Sequence, residues 1–236
     1  MADTKLDVRV YPIDEPKSNT MAFANVSFND TVAIRGIRVI NDKKGLSVSM
    51  PQSLDKKTNK SYDIAFPLNG DLRKAINEAV LKEYDQKASL APDQRGYEKP
   101  EMKSANSIKS EDIKLDIRVY PIPDPQGSTK AFASVSVDDI IAIRGIRVIN
   151  SEEKGMFVTM PQSKDKENKY HDTAFPIISG LREKITAKIL DNYKAVEKTN
   201  EKSLANGLRA GAERAAENNA APRESASKSS KLGVLE

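Results

Sequence analysis

Apolar and polar residues alternate along several stretches of the first half of the chain. Residues 22–28 carry apolar side chains at every even position, and residues 46–50 repeat this alternation until Pro51 interrupts it. A period of two is typical of strands with one buried face. Residues 6–13 and 31–40 are rich in β-branched residues, so the pattern predicts a meander of about four strands.

Beyond residue 70 the apolar period becomes helical. Leu72, Ile76, Val80 and Tyr84 recur at intervals of four, which predicts one helix with a single apolar face. The polar residues 52–62 read as a loop between the meander and this helix. One helix covers only one face of a sheet, so the other face must meet water, a second copy or a partner.

The whole pattern occurs twice. Residues 6–41 return as residues 115–150, an offset of 109, and Ala33–Asn41 is repeated without change as Ala142–Asn150. Solenoid repeats have periods of about 20 to 50 residues, so each copy is a domain. The predicted fold class is α+β: two tandem copies of an antiparallel meander, each followed by one helix. The predicted segments are a first copy 1–85, a linker 86–112, a second copy 113–195 and a low-complexity tail 196–236, which is disordered or, near residues 204–216, partly helical.

The alternation changes phase inside the third strand. Val32 and Ile34 occupy even positions, whereas Ile37 and Val39 occupy odd ones, and Gly36 lies at the change. A strand keeps one face buried across such a change only if it contains an extra residue. We therefore predict a β-bulge at Gly36, and another at its counterpart Gly145, which would re-aim the neighbouring arginines.

Composition excludes several function classes. The 236 residues contain no cysteine, which removes disulfides, thiolate metal sites and cysteine nucleophiles. No glycine-rich phosphate loop, metal-ligand spacing or duplicated catalytic pair is present, so we expect neither an enzyme nor a cofactor or metal. We also expect no membrane association and a cytoplasmic location, because no apolar stretch of about 18 residues and no signal-like N-terminus occurs.

Three ordered motifs carry a family resemblance. Ile37–Ile40, Val48–Pro51 and Asp63–Pro67 occur in this order, and each has a counterpart in the second copy. The order resembles the bacterial stage V sporulation protein G (SpoVG) family over both copies. The resemblance implies a small α+β domain that self-associates through its sheet. It also implies a nucleic-acid-binding regulator that affects septation and sporulation.

Both copies depart from the family pattern at the same places. The family usually has histidine before the proline of the third motif, where this chain has Phe66 and Phe175. The usual His-Asp before Ile-Arg-Val is Arg35–Gly36 here, a gain of positive charge, and the loop that follows Met-Pro has lost its arginine.

Two sets of basic residues are candidates for nucleic-acid binding. Arginines beside the predicted bulges offer planar forks for phosphates or base edges, and loop lysines neutralise phosphates without fixed geometry. The candidates are Arg35, Arg38, Arg144 and Arg147, together with Lys56, Lys57, Lys60, Lys164, Lys166 and Lys169. The alternatives are a solvated loop, and arginines whose stems cover the sheet while their heads pair with acids.

The predicted partner is DNA or RNA of unspecified sequence. The alternative function is a protein-interaction or scaffold module that uses open sheet faces and edge strands. We also predict that the copies pair within one chain as a pseudo-dimer, or otherwise that the chain forms a homodimer.

Overall fold

The computed structural model describes residues 4–55, 58–96, 109–165 and 167–220. The first copy contains β1 (Leu6–Pro12), β2 (Thr20–Phe28), β3 (Val32–Asp42), β4 (Gly45–Ser49), β5 (Gln52–Asp55), β6 (Lys60–Asp63), β7 (Ala65–Pro67) and α1 (Gly70–Ala88). The second contains β8 (Leu115–Pro121), β9 (Thr129–Val137), β10 (Ile141–Ser151), β11 (Gly155–Thr159), β12 (Gln162–Lys164), β13 (Tyr170–Asp172), β14 (Ala174–Pro176) and α2 (Ser179–Ala220).

The predicted α+β fold class is confirmed. β1 to β4 form an antiparallel meander with β1 at the edge of its sheet, and β8 to β11 repeat it. α1 begins after Asn69, whose side-chain oxygen accepts a hydrogen bond from the Leu72 amide at 2.6 Å. The apolar stripe of α1, including Ile76 and Val80, is buried with the inward residues of the strands. The opposite sheet face is called the outer face below.

The strand register shifts where the sequence changes phase. Ile34 faces Val26 and Ile37 faces Ala24 on β2, so two residues of β3 stand opposite one residue of β2. Gly36 has a φ of +76° there, and Gly145 has a φ of +75° at the same point of β10. This extra residue buries Ile34 and Ile37 on the same side of the sheet. Arg35 and Arg38 therefore share the outer face.

The two copies exchange a strand. β7 of the first copy pairs with Ile141–Ile143 of β10, and β14 of the second copy pairs with Val32–Ile34 of β3. Ala65 and Ala174 in these strands are fully buried. Buried residues of both copies form one hydrophobic core. Each copy thus completes the sheet of the other, an arrangement called the strand exchange below.

Each bulge lies where β3 or β10 changes its neighbour. β3 pairs with β14 through residues 32–34 and with β4 through residues 38–42, so the bulge falls between the two partners. The Arg35 amide donates to the Thr173 carbonyl at 2.7 Å, and the Arg144 amide donates to the Ile64 carbonyl at the same distance. Both bonds cross between copies, so the backbone of each bulge is anchored by the strand exchange.

The polar segment predicted as a loop is a second hairpin, so that prediction is wrong. β5 pairs with β6 from Gln52–Asp63 to Asp55–Lys60, and β12 pairs with β13 in the second copy. These two-stranded hairpins are called the arms below. Their residues are mostly polar, and the apolar Leu54 is exposed, so no buried apolar face recurs along them and the hydrophobic period could not reveal them.

The ends of the linker are held by their own copies. Arg95 is buried, and its guanidinium donates to the Asp14 carboxylate at 2.5 Å. The Lys184 ammonium donates to the carbonyls of Ser110, Glu111 and Ile113 at 2.5–3.1 Å. Short 3-10 turns at Pro92–Gln94 and Ser110–Asp112 accompany these contacts.

The helix of the second copy extends into the predicted tail. α2 continues to Ala220, whereas the sequence predicts a disordered tail from residue 196 with partial helix only near residues 204–216. Residues 221–236 lie outside the described part of the chain. Within the residues described, no helix is both long enough and apolar enough to span a membrane.

Alanine at either bulge glycine should destabilise the fold. Gly36 and Gly145 have positive φ; a Cβ at Gly36 would meet no atom within 4 Å, and one at Gly145 would meet only Pro161 Cβ at 3.7 Å, an ordinary contact, so the cost comes from the backbone conformation. We expect G36A and G145A each to cost about 1–2 kcal/mol and to lower Tm by roughly 2–8 °C. Gly70→Ala, which replaces a helical glycine in open space, is the matched control and should not lower Tm. Equal Tm values for all three variants in thermal unfolding would contradict the strain at the bulges.

Candidate nucleic-acid interface

The four predicted arginines lie on the outer faces of the two sheets. Arg35 and Arg144 are exposed beside the bulges, and Arg38 and Arg147 are half-buried two residues beyond the bulge glycines. The Arg38 guanidinium lies 3.5 Å from the Ser49 hydroxyl of the neighbouring strand. The bulge brings the arginines of each pair onto one face, because an unbroken strand would point residues 35 and 38 to opposite faces.

Each exposed arginine covers an aromatic ring from the other copy. The Arg35 guanidinium carbon is 4.6 Å from the centre of the Phe175 ring, and that of Arg144 is 4.5 Å from the centre of the Phe66 ring. Both distances are within the range of a cation–π interaction. The strand exchange brings these rings beneath the arginines, because Phe175 pairs with Ala33 and Phe66 with Ala142.

The Arg–Phe contacts join two departures from the family pattern. Phenylalanine stands where the family usually has histidine, and arginine stands in the usual His-Asp position. Sequence reasoning treated these changes separately and did not pair them. The sequence did contain a clue to this contact. Both departures occur together in both copies, a pattern typical of residues in contact.

The arm lysines that the structure describes differ in their surroundings. Lys60 is exposed, Lys164 lies 4.9 Å from the centre of the Tyr170 ring, and Lys169 forms an ion pair with Glu167 at 2.7 Å. Three further predicted lysines, Lys56, Lys57 and Lys166, lie outside the described residues.

The arm of the second copy also contains an internal hydrogen bond between a histidine and a carboxylate. His171 Nε2 is 2.7 Å from the Asp165 carboxylate, which also accepts the backbone amides of Lys169 and Glu167. The His171 hydrogen bond, followed by these amides, holds the pKa of Asp165 below its usual value. The only histidine of the chain thus contacts a neighbouring side chain of the same arm, a structural role.

The duplicated aspartates anchor the arms to the helices. Asp63 accepts a hydrogen bond from Gln52 at 3.0 Å and pairs with Arg73 at 3.5 Å. Asp172 makes the same contacts with Gln162 at 2.9 Å and with Arg182 at 2.6 Å. These contacts give both aspartates a structural role, because they join each arm to its helix. No group of three or more metal-ligating side chains is found within the ranges the structure describes.

The fold and the outer faces define a class of protein. It is a tandem α+β protein whose two copies exchange strands and present matched arginine pairs on exposed sheet faces. The SpoVG family model matches residues 4–86 and 113–195, and the chain belongs to the SpoVG family.

Individual relatives match about one copy in length. A protein of Agathobacter rectalis is 40% identical over 79 residues, which are 34% of this chain and 88% of the relative. A protein of Brevibacillus brevis is 36% identical over 92 residues, covering 39% of this chain and 95% of the relative. A protein of Archaeoglobus fulgidus is 34% identical over 82 residues, covering 35% of this chain and 94% of the relative. All three are named "Putative septation protein SpoVG".

Proposed function

We propose that this protein is a non-enzymatic regulator that binds DNA or RNA and acts in septation, sporulation or gene expression. The observation that carries the proposal is the arginine pair on each outer face, formed by Arg35 with Arg38 and by Arg144 with Arg147. Membership of the SpoVG family also supports this proposal.

The charge of the arginines and their repetition in both copies support this function. Arginine binds phosphate through a planar fork and stays charged at all relevant pH values. Neither copy carries a large excess of positive charge, so binding would depend on local arginines rather than on an overall field. Two equivalent sites on one chain also raise avidity, because binding at one site makes the second encounter intramolecular.

We further propose that one chain acts as its own dimer. The strand exchange supports this proposal, since β7 and β14 occupy equivalent places in opposite sheets. Each of the relatives described above matches about one copy in length, so a second chain would be needed to supply the same exchange there.

A salt series tests the binding proposal. Fluorescence anisotropy of labelled random oligonucleotides of roughly 20 nucleotides would be followed from about 50 to about 200 mM salt. We expect affinity to fall steeply with salt, with a log–log slope of about −3 or steeper if four phosphates are neutralised. Absent binding at low salt, or binding that does not depend on salt, would overturn the proposal and favour the scaffold function.

A further inference from the structure

We propose that the outer faces stack unpaired bases, so that the preferred ligand is single-stranded RNA or DNA rather than a duplex. This inference rests on the proposed nucleic-acid binding and specifies its ligand. It is carried by aromatic rows that cross the outer faces at the same place in both copies.

The strand registers place aromatic residues next to the arginines. On the first sheet Tyr11 pairs with Phe23, Phe23 pairs with Arg38, and Arg38 pairs with Ser49. The second sheet repeats the row as Tyr120, Phe132, Arg147 and Thr159. Paired residues on adjacent strands have Cβ atoms about 4.5–5.5 Å apart. Each row is therefore a continuous surface of two rings and one guanidinium.

Three of the four rings are exposed rather than used in the core. Phe23 is 46% exposed, Phe132 is 47% exposed and Tyr120 is 55% exposed. Their strand neighbours Ala22 and Ala24 point inward and are fully buried, so the core is filled without these rings. Exposed rings at the same position of both copies are not explained by core packing.

Base stacking fits this surface better than a protein ligand does. Aromatic faces stack on any base, and a guanidinium beside them can neutralise the phosphate or stack on the next base. The adjoining outer-face positions on β2 and β9 carry small polar residues, Asn25 and Ser27, with Ser134 and Ser136 in the second copy, which leave the rings accessible. The excess of arginine on each face favours a polyanion over an apolar partner. A duplex buries its base faces, so only single strands can use the rings.

Paired substitutions at Phe23 and Phe132 test the inference. The variant F23L/F132L keeps an apolar side chain but removes the aromatic face, and F23Y/F132Y restores it. Anisotropy would compare single-stranded RNA, single-stranded DNA and duplex DNA, with circular dichroism to verify folding. We expect the leucine variant to bind both single strands about 10- to 100-fold more weakly, the tyrosine variant to bind as the unmodified chain does, and duplex affinity to change less than about twofold.

Several outcomes would overturn the inference. One is an unchanged single-strand affinity in the leucine variant, and another is an equal loss for single strands and duplex. If the unmodified chain binds with steep salt dependence while the leucine variant is unchanged, stacking fails and the proposed function stands. If the unmodified chain binds no nucleic acid, both fail. Dimers in light scattering that the leucine variant abolishes would assign the face to a second chain instead.

Photocrosslinking gives a readout that does not depend on the folding of a variant. Single-stranded oligonucleotides containing 5-bromouracil would be irradiated with the unmodified chain and the adducts mapped by mass spectrometry. Adducts at Phe23, Tyr120 or Phe132 support stacking, and adducts confined to the arms or helices contradict it.

Discussion

Replacement of Arg35, Arg38, Arg144 and Arg147 by alanine should lower nucleic-acid affinity by about 100-fold or more at low salt, because charge-assisted contacts to phosphate are lost. The log–log salt slope should also become less steep by about 3, since four counterion-releasing contacts disappear. Both quantities can be measured by anisotropy across the salt series.

A matched control removes the same charge from the helices. Lys74 and Lys82 on α1, with Lys188 and Lys194 on α2, are exposed and away from the outer faces. Their replacement by alanine should change affinity much less than the arginine variant does. An equal loss in both variants would mean that net charge, and not the outer face, drives binding. The arginine variant should still fold, because each lost Arg–Phe contact is worth only about 0.5–1 kcal/mol at an exposed site.

Cleavage of the linker between Gly96 and Lys109 should leave the two halves bound to each other. A protease site inserted there would produce a nicked protein that still elutes near the 26.0 kDa of the intact chain. The physical reason is the strand exchange, in which each half supplies a buried strand to the sheet of the other. The nicked protein should unfold at a temperature that falls on dilution, because the halves are no longer tethered.

Substitutions in the exchanged strands test the cause of this association. Ala65→Asp and Ala174→Asp place an unpaired charge at fully buried positions, so the halves of these nicked variants should separate. Phe66→Leu and Phe175→Leu are milder controls that remove the ring beneath the arginine and should leave the halves associated. Separation of the unmodified nicked halves at micromolar concentration would refute the proposal that one chain acts as its own dimer.

Much of each copy follows from local patterns. The alternation in residues 22–28 predicted a strand with one buried face, and the four-residue spacing after Leu72 predicted α1. The phase change around Gly36 predicted the position of the bulge, because only an inserted residue keeps both Ile34 and Ile37 buried. These features depend on residues that are close together in the sequence, so the pattern of the sequence predicts them.

The arms and the Arg–Phe contacts required the structure. Polar hairpins such as β5–β6 bury no apolar face, so the spacing of apolar residues does not predict them. The contact between Arg35 and Phe175 joins residues far apart in the sequence, and it exists only because β14 lies beside β3. Family departures at both positions were visible beforehand, but their contact was not.

The sequence by itself determined the duplicated α+β fold, the buried face of the meander strands and the position of the bulges. Only the tertiary structure decided which copy supplies the last strand of each sheet. The reason is that Ala33–Asn41 and Ala142–Asn150 are identical, so β7 and β14 meet nearly the same strand edge in either copy. A hydrophobic pattern specifies which face is buried, whereas the neighbour at a sheet edge is set by hydrogen bonds between segments distant in the chain.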